Sequence, residues 1–559
     1  MQALMADSGK ALDRATTAAA SQSCGLPAIS TMRNFNAKEE IIREWLPERH
    51  KRSQLHAGPS TKEASSMHDT LTRGSFEPET ITLDGRTLKL RAARSIPYCE
   101  HPKDAIQTLN IFAPEAYFEG GSVNGYDAET ALVFCPNTVG GYLPGAADEL
   151  GEGRFSPTNA AFEALAHGYV VASIGVRGRT TGERSAEFFE GSRATAGGSV
   201  PSGVLSGRAP AFIVDLKAGI RFLRANASAI PGNLDCIVTN GTSAGGALSA
   251  LAGASGDSPD FEEELERIGA VMDERDDIFA ASCYCPIHNL EHADAAYEWL
   301  FHGIADCHFT HFRKRDGKIA RVTEESTLTP EQMAFSDELA ASFPTYVSSL
   351  GLTRKDGEPL TLEADGRGSF LDCLESELVA SAQKELDTKE HETRLPHLMC
   401  KGSIPAAQPY LTIEDGKVTA LDWDGYVHAI TRMKPCPSFD SLDLRTPENQ
   451  EFGDEHVYAR HFTDFAQAHS TVPADQADGR IVQMMNTLSY ASSEGCCQHW
   501  RIRHGPCDRD TSLAIPLILA LSLEDAGKDV DFAFPWGLPH SGDYDLDGLF
   551  TWIDRICQK

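Results

Sequence analysis

The chain has 559 residues, too many for one ordinary hydrophobic core, so one large domain with an inserted or second domain is expected. A hydrophobic content of 41% and a charged content of 23% fit a globular protein. Fifty basic against 81 acidic residues leave a net charge of -31, which repels phosphate backbones and anionic lipids, so nucleic acid and membrane surfaces are not expected partners.

The N-terminus, MQALMADSGKALDRATTAAASQSCG, has neither a basic region nor a continuous apolar run, so it does not read as a signal peptide. Residues 1–75 are polar and rich in Ala, Ser, Thr and charge, which predicts an extension with one amphipathic helix near AKEEIIREWLPERHKR. From Ile81 the pattern changes. ITLDGRTLKLRAARSI and QTLNIFAP read as antiparallel strands around a glycine turn. Three apolar runs follow, ALVFCPNTVGG, YVVASIGVRGR and DCIVTNGTSAGG, separated by the helical segments PTNAAFEALAHG and APAFIVDLKAGIRFLRANAS. That alternation predicts a mostly parallel α/β sheet covered on both faces. IFAASCYCP adds a strand, and then the alternation stops: residues 287–484 are charged and read as mostly helical with polar loops. It resumes with HWRIRHG, the helix SLAIPLILALSLEDAG, the strand VDFAFPW and the helix LDGLFTWIDRIC. The expected organisation is a core over 76–286 and 485–559, interrupted by a large insertion over 287–484. No window approaches the roughly 18 apolar residues that span a membrane. The 14 cysteines are scattered, and Cys135, Cys236, Cys283 and Cys285 lie in apolar strands where a reduced buried thiol is usual, which indicates a cytoplasmic protein.

Gly241-Thr242-Ser243-Ala244-Gly245 sits between the strand CIVTN and a helix beginning AGGALSALAG. A G-x-S-x-G match is weak alone, but a strand, a tight turn and a helix are what a nucleophile elbow requires, because the serine must stand exposed at the carboxyl edge of the sheet. Ser243 is therefore the expected nucleophile, against the alternative of a glycine-rich packing or phosphate-cradling loop. A serine of ordinary pKa needs a base, and the base an orienting acid. His540 follows the last strand and precedes the last helix, at the same sheet edge. Asp508 and Asp510 both follow HWRIRHGP. The residues alone leave the choice of acid open, since either could cap the helix that starts near Thr511. The oxyanion hole is expected from the Ala244 N–H and from PNTVGGYLPG, where Gly140 and Gly141 give the backbone freedom to approach an ester. Cys496, Cys497, His499, His504 and Cys507 raise a zinc reading, but they lack C-x-x-C pairs and lie in and before a strand whose side chains alternate in direction, so no metal and no cofactor are expected.

PNTVGGYLPG, GRAPAFIVDLKAGIRFLR, GTSAGGALSALAG, HGPCDRDTSLAIP and PHSGDYDLDGLFTWID together resemble the bacterial tannases (tannin acylhydrolases) of the lactobacillus type, over about Thr108 to Ile556. The resemblance implies an α/β-hydrolase fold in which the insertion is a lid domain, and Asp508 as the acid beside Ser243 and His540. It also implies that Lys434, Glu448 and Asp510 bind the hydroxyls of a galloyl ring. The chemistry suits that assignment, since carboxylates accept from phenols and an ammonium donates to them. Fungal tannases and related feruloyl esterases carry cysteines beside the serine and histidine, whereas here the neighbours are Thr242 and Ser541, which disfavours that type.

The expected function is a serine esterase acting on galloyl esters, with a small-molecule substrate as its partner. A hydroxycinnamoyl or general carboxylesterase shares the triad but does not need Lys434, Glu448 and Asp510 together. A peptidase of the prolyl oligopeptidase type would bring propeller repeats of about 40–50 residues, and none are present. A binding protein on the same fold is expected to have lost a triad member.

Overall fold

Continuous apolar runs of five residues form strands only where both faces of a sheet are covered, and that is how the centre of this chain is built. The computed structural model describes residues 70–153, 156–183, 203–315, 318–387 and 410–557. The strands are β1 (Glu77–Leu83), β2 (Arg86–Pro97), β3 (Thr108–Pro114), β4 (Leu132–Pro136), β5 (Val170–Ile174), β6 (Asn233–Thr242), β7 (Ala280–Tyr284), β8 (Asp306–Arg315), β9 (Lys318–Thr327), β10 (Leu411–Glu414), β11 (Lys417–Leu421), β12 (His499–Arg503) and β13 (Asp529–Ala533). Nine of them make one sheet in the order β1-β2-β3-β5-β4-β6-β7-β12-β13. The first strands enter antiparallel, β1 on β2, β2 on β3 and β3 on β5. From β5 onward every pairing is parallel, ending with β7 on β12 and β12 on β13.

All five residues of β4, β5 and β7 are buried. Alternate side chains serve opposite faces: Val133 and Cys135 enter one core with Ile237 and Phe212, while Leu132 and Phe134 enter the other with Val238, Phe162 and Phe550. Each segment read as a strand or helix of the core adopts that form, so the expected α/β-hydrolase architecture is the observed one. β12 resumes the same sheet beside β7 although the two are far apart in sequence. The intervening stretch therefore leaves and re-enters the sheet between two neighbouring strands. Among the described residues, no helix is long and apolar enough to cross a membrane.

Two expectations need qualification. The amphipathic helix read near residues 37–52 lies outside the described residues. Ordered contacts also begin before residue 76, since Leu71 is buried and its N–H donates to Asn226 Oδ1 at 2.9 Å. The second concerns the insertion. It holds long helices over Pro330–Ser349 and Ser369–Asp387, but also two antiparallel hairpins, β8–β9 and β10–β11. DCHFTHFRKR and KIARVTEEST are too rich in charge for their strand period to stand out, and the pairing from Asp306↔Thr327 to Arg315↔Lys318 is what defines them.

Within the insertion, buried charge holds the helix Leu290–Leu300, which follows β7, to the later segments. Asp294 accepts from the backbone N–H groups of Ser438, Phe439 and Asp440 at 2.6, 2.8 and 2.9 Å, and burial pushes its pKa up to about 7. Glu298 and Arg432, both fully buried, pair at 2.6 Å, with Ser336 Oγ donating to the other Glu298 oxygen. Arg432 also donates to the carbonyls of Ile304 and Lys434, each at 3.1 Å. Arg432→Met leaves the Glu298 carboxylate buried without its counter-charge. It is expected to destabilise the protein by about 3–5 kcal/mol, read by chemical denaturation, with Glu298→Gln in the same chain recovering part of the loss.

Candidate active site

β6 ends at Thr242 and a helix begins at Ala244, which leaves Ser243 alone in the turn at φ 63° and ψ -125°. Left-handed backbone is costly for a residue with a side chain and persists only where the surroundings impose it. Here they do. The Ser243 N–H donates to Tyr284 O at 2.9 Å, at the end of the neighbouring β7, and its carbonyl accepts from Ala247 N–H at 2.9 Å in the helix. Asn137, just past β4, packs into the elbow and donates through Nδ2 to the carbonyls of Asn240 and Gly245 and to Ser249 Oγ at 3.0–3.1 Å. A Cβ at Gly241 would collide with Gly245 O and Asn137, and one at Gly245 would meet Val139 O at 2.7 Å. The two glycines of the motif thus make room for Asn137 and for the strand-to-loop segment behind it. The Ala244 N–H opens the helix with its side chain buried.

The loops after β12 and β13 come together at the same edge. A Cβ at Gly505 would lie 2.6 Å from Pro539 O, and one at Gly542 would collide with Thr242 Oγ1, so the His540 loop closes directly on the elbow. Asn240 Nδ2 donates to Asp543 Oδ1 at 2.9 Å and reinforces that closure. His540 Nδ1 lies 2.6 Å from Asp508 Oδ2. Asp508 is fully buried, whereas the His540 side chain keeps 20% of its exposure. Its other oxygen accepts from the Asp510 N–H at 2.8 Å, and Asp510 Oδ2 lies 4.0 Å from His540 Nδ1. Geometry therefore separates two aspartates that the residues alone left equivalent: Asp508 bonds the imidazole and Asp510 flanks it. The Asp508–His540 contact is hydrogen-bonded.

Burial opposes charge on His540, but Asp508, and after it Asp510, outweigh that effect and raise its pKa well above the usual value. Burial likewise opposes charge on Asp508, and the charges of His540 and His504 hold its carboxyl well below the usual range. His504 is fully buried, with Nε2 3.6 Å from Asp508 Oδ2, and the same carboxylate holds its pKa up against burial. Cys285, at φ 44° after β7, donates its thiol to Ser541 O at 3.4 Å. Cys285, Asp508 and His540 are the one group of possible metal ligands within mutual reach among the described residues. The hydrogen bonds just described already engage each of the three. His499, from the cluster read for zinc, lies 2.9 Å from Asp529, and Cys496 and Cys497 are free thiols whose sulfurs lie against backbone carbonyls. Cys135, Cys236, Cys283 and Cys285 are free as well, while Cys507 is disulfide-bonded and departs from the reduced-thiol reading.

Gly140 and Gly141 are exposed, Gly141 at φ 56°, in the loop whose residue Val139 packs on Gly245. Lys434, Glu448 and Asp510 come from three separate segments. Glu448 is buried on the short helix Pro447–Glu451, which Thr446 caps. Burial raises its carboxyl, Lys434 and Arg179 draw it down, and Asp510 raises it again, so all of these charges lie within its reach. The Lys434 ammonium stands 3.9 Å over the ring of Phe439, and the Lys434 N–H donates to Tyr297 Oη at 3.1 Å. Sequence reasoning missed Arg179 and Asn137 and gave Cys285 and His504 other roles. The available signal was position, since each follows a strand at the carboxyl edge of the sheet.

A nine-stranded, mostly parallel sheet with a strained serine between β6 and a helix, and a His–Asp pair after the last strands, defines an α/β-hydrolase of the serine type. A family model described as BD-FAE matches residues 204–292. None of the curated proteins matches the chain in a sequence comparison. Among solved structures, the tannase of Lactobacillus plantarum is 46% identical, covering 87% of this chain and 99% of its own, with a TM-score of 0.78. A tannin acyl hydrolase in complex with ethyl gallate is 47% identical over 87% of this chain and 98% of its own, with a TM-score of 0.77. The Fusobacterium nucleatum tannase is 42% identical over 86% and 98%, also at 0.77. The chain belongs to the tannase (tannin acyl hydrolase) family.

The two carboxylates around His540 set a pH test. With the imidazole pKa raised, the neutral base form is present only above that value, so kcat/KM should fall on its acid side. Asp510→Asn removes one charge that raises the pKa and should move the acid limb to lower pH, measured as a pH–rate profile with a simple acetate ester.

Proposed function

We propose that Ser243 attacks the carbonyl of a galloyl ester, with His540 as general base and then general acid, and Asp508 as the group that orients it. The activity, hydrolysis of galloyl esters by a carboxylic ester hydrolase, is that of the family to which the chain belongs. The observation that supports the residue roles is the closure of the His540 loop on the Ser243 elbow with its 2.6 Å His540–Asp508 bond, and the mutual influence of the Lys434, Glu448 and Asp510 charges supports the ring-binding set. Nδ1 is taken by Asp508, which leaves Nε2 to receive the serine proton and hand it to the departing alcohol. The tetrahedral oxyanion is received by the Ala244 N–H and a donor from the Gly140–Gly141 loop. Water, activated by the same histidine, then releases gallate.

The ring is read by charge. Glu448 and Asp510 accept from phenolic hydroxyls and Lys434 donates to them, so the acid side of the substrate bridges the sheet and the insertion. The insertion over 287–484 thereby acts as a lid that supplies specificity, set between the core segments 76–286 and 485–559. The cytoplasmic setting is part of the same proposal. It is supported by eleven free thiols among the described residues, and fractionation of the producing cells tests it.

Two experiments test the reading. Ser243→Ala should abolish ester turnover with the fold unchanged by circular dichroism, and a serine-directed phosphonate should label Ser243 alone. Retained turnover in the variant refutes the nucleophile. The second is a series of methyl esters of gallate, protocatechuate and 4-hydroxybenzoate. Each lost hydroxyl leaves a buried charge without its partner, at about 1–3 kcal/mol, or about tenfold to a hundredfold in kcat/KM. Glu448→Gln should flatten the series by weakening the gallate ester most. Hydrolysis of methyl ferulate as fast as methyl gallate refutes the galloyl site and leaves the esterase standing.

A further inference from the structure

The Gly140–Gly141 segment has an unusual problem of support. Its ends are fixed: Asn137 is bonded into the elbow, and Gly145 exchanges two hydrogen bonds with Val176, at 3.0 and 2.8 Å, just past β5. Val139 and Tyr142 on either side of the glycines are buried, Tyr142 donating its hydroxyl to Ile287 O at 2.7 Å, but the glycines themselves are unpacked. Both glycines are exposed, and no atom lies within 4 Å of the position where a Cβ of either would stand. A donor that must face a developing oxyanion therefore sits on two glycines that have no packing of their own and are steadied through their neighbours.

Arg179 bonds the glycine itself. Arg179, in the turn after β5, donates its own backbone N–H to Tyr142 O at 2.8 Å and its Nε to Gly141 O at 2.9 Å. The same guanidinium donates from Nη1 to Gln450 Oε1. Gln450 is buried on the Pro447–Glu451 helix, two residues beyond Glu448. Arg179 also lies within electrostatic reach of Glu448 and Glu451, drawing both carboxyls down against their burial. One planar fork thus bonds the glycine loop with one edge and the lid helix with another, a geometry that a lysine cannot reproduce.

We propose that Arg179 is a positioning residue that ties the seating of the Pro447–Glu451 helix to the geometry of the glycine loop. Ring recognition on the lid is then converted into turnover, because seating that helix also fixes the oxyanion donor. This rests on the esterase reading of Ser243 and the glycine loop. Its coupling to ring recognition rests also on the galloyl reading of the Pro447–Glu451 helix.

The test is steady-state kinetics of Arg179→Ala and Arg179→Lys on methyl gallate and on p-nitrophenyl acetate, with kcat and KM resolved. Arg179→Ala should lose about tenfold to a hundredfold in kcat on both esters, with the smaller change in KM. Arg179→Lys, which keeps the charge beside Glu448 but not the fork, should stay close to the alanine variant. Guanidinium ion at a non-denaturing concentration should restore part of kcat to Arg179→Ala and none to Ser243→Ala. A loss confined to KM for methyl gallate, or full kcat in Arg179→Lys, overturns the proposal. Where Arg179→Ala does not fold, Gln450→Ala cuts only the lid end of the bridge. It should lower kcat more on methyl gallate than on the acetate ester, and an equal effect on both overturns the coupling. Turnover surviving in Ser243→Ala would instead overturn the esterase reading beneath it.

Discussion

Everything at this sheet edge depends on one residue held where its backbone does not want to be. A serine at φ 63° costs on the order of 1–3 kcal/mol, and nothing local to the pentapeptide repays it. The repayment comes from three directions: the Tyr284 carbonyl of β7, the first turn of the following helix, and Asn137 wedged between Gly241 and Gly245. Because β4, β6 and β7 are adjacent and parallel, their carboxyl ends arrive together, and the strain is imposed by the sheet as a whole. The same adjacency lets the loops after β12 and β13 reach the elbow, since β12 pairs with β7.

Charge organises what the strain positions. A protein with a net charge of -31 nevertheless gathers cations in its interior. His540 and His504 face Asp508, Arg179 and Lys434 face Glu448, and Arg432 faces Glu298. Each of these carboxylates is buried deeply enough that its charge needs a partner. The partners come from different segments: Arg432 and Glu298 join parts of the insertion, the histidines and Asp508 join loops of the core, and Arg179 acts on Glu448 across the two. Arg432 shows the economy of this: it neutralises Glu298 and at the same time holds the carbonyl of Lys434, whose ammonium belongs to the candidate ring-binding set.

Support for the site is uneven, and the unevenness has a chemical sense. The Ser243 turn is half-buried and Asp508 fully buried, while Gly140 and Gly141 are exposed and Asp510 keeps about a third of its side-chain exposure. The buried groups hold the geometry that a reaction of this class needs before the substrate arrives.

What the sequence alone determined were the features written in local period and punctuation. Runs such as VVASI and AASCY had to be doubly covered strands, GTSAG between a strand and a helix had to be an elbow, and His540 had to lie beyond the last strand. Resemblance added Lys434, Glu448 and the preference for Asp508, none of which periodicity could supply. Only the tertiary structure decided the rest. It separated Asp508 from Asp510, because a choice between neighbours two residues apart turns on which oxygen meets Nδ1 at 2.6 Å. It formed β8–β9 from segments too charged to show a strand period. It gave Arg179, Asn137, His504 and Cys285 their places, since a single arginine in VRGR carries no signal until Gly141 and Gln450, distant in sequence, are brought to either side of it. Local pattern records which face a residue must bury, whereas partnership between side chains is set by how crossovers bring separate strand ends together, and that is a property of the assembled sheet.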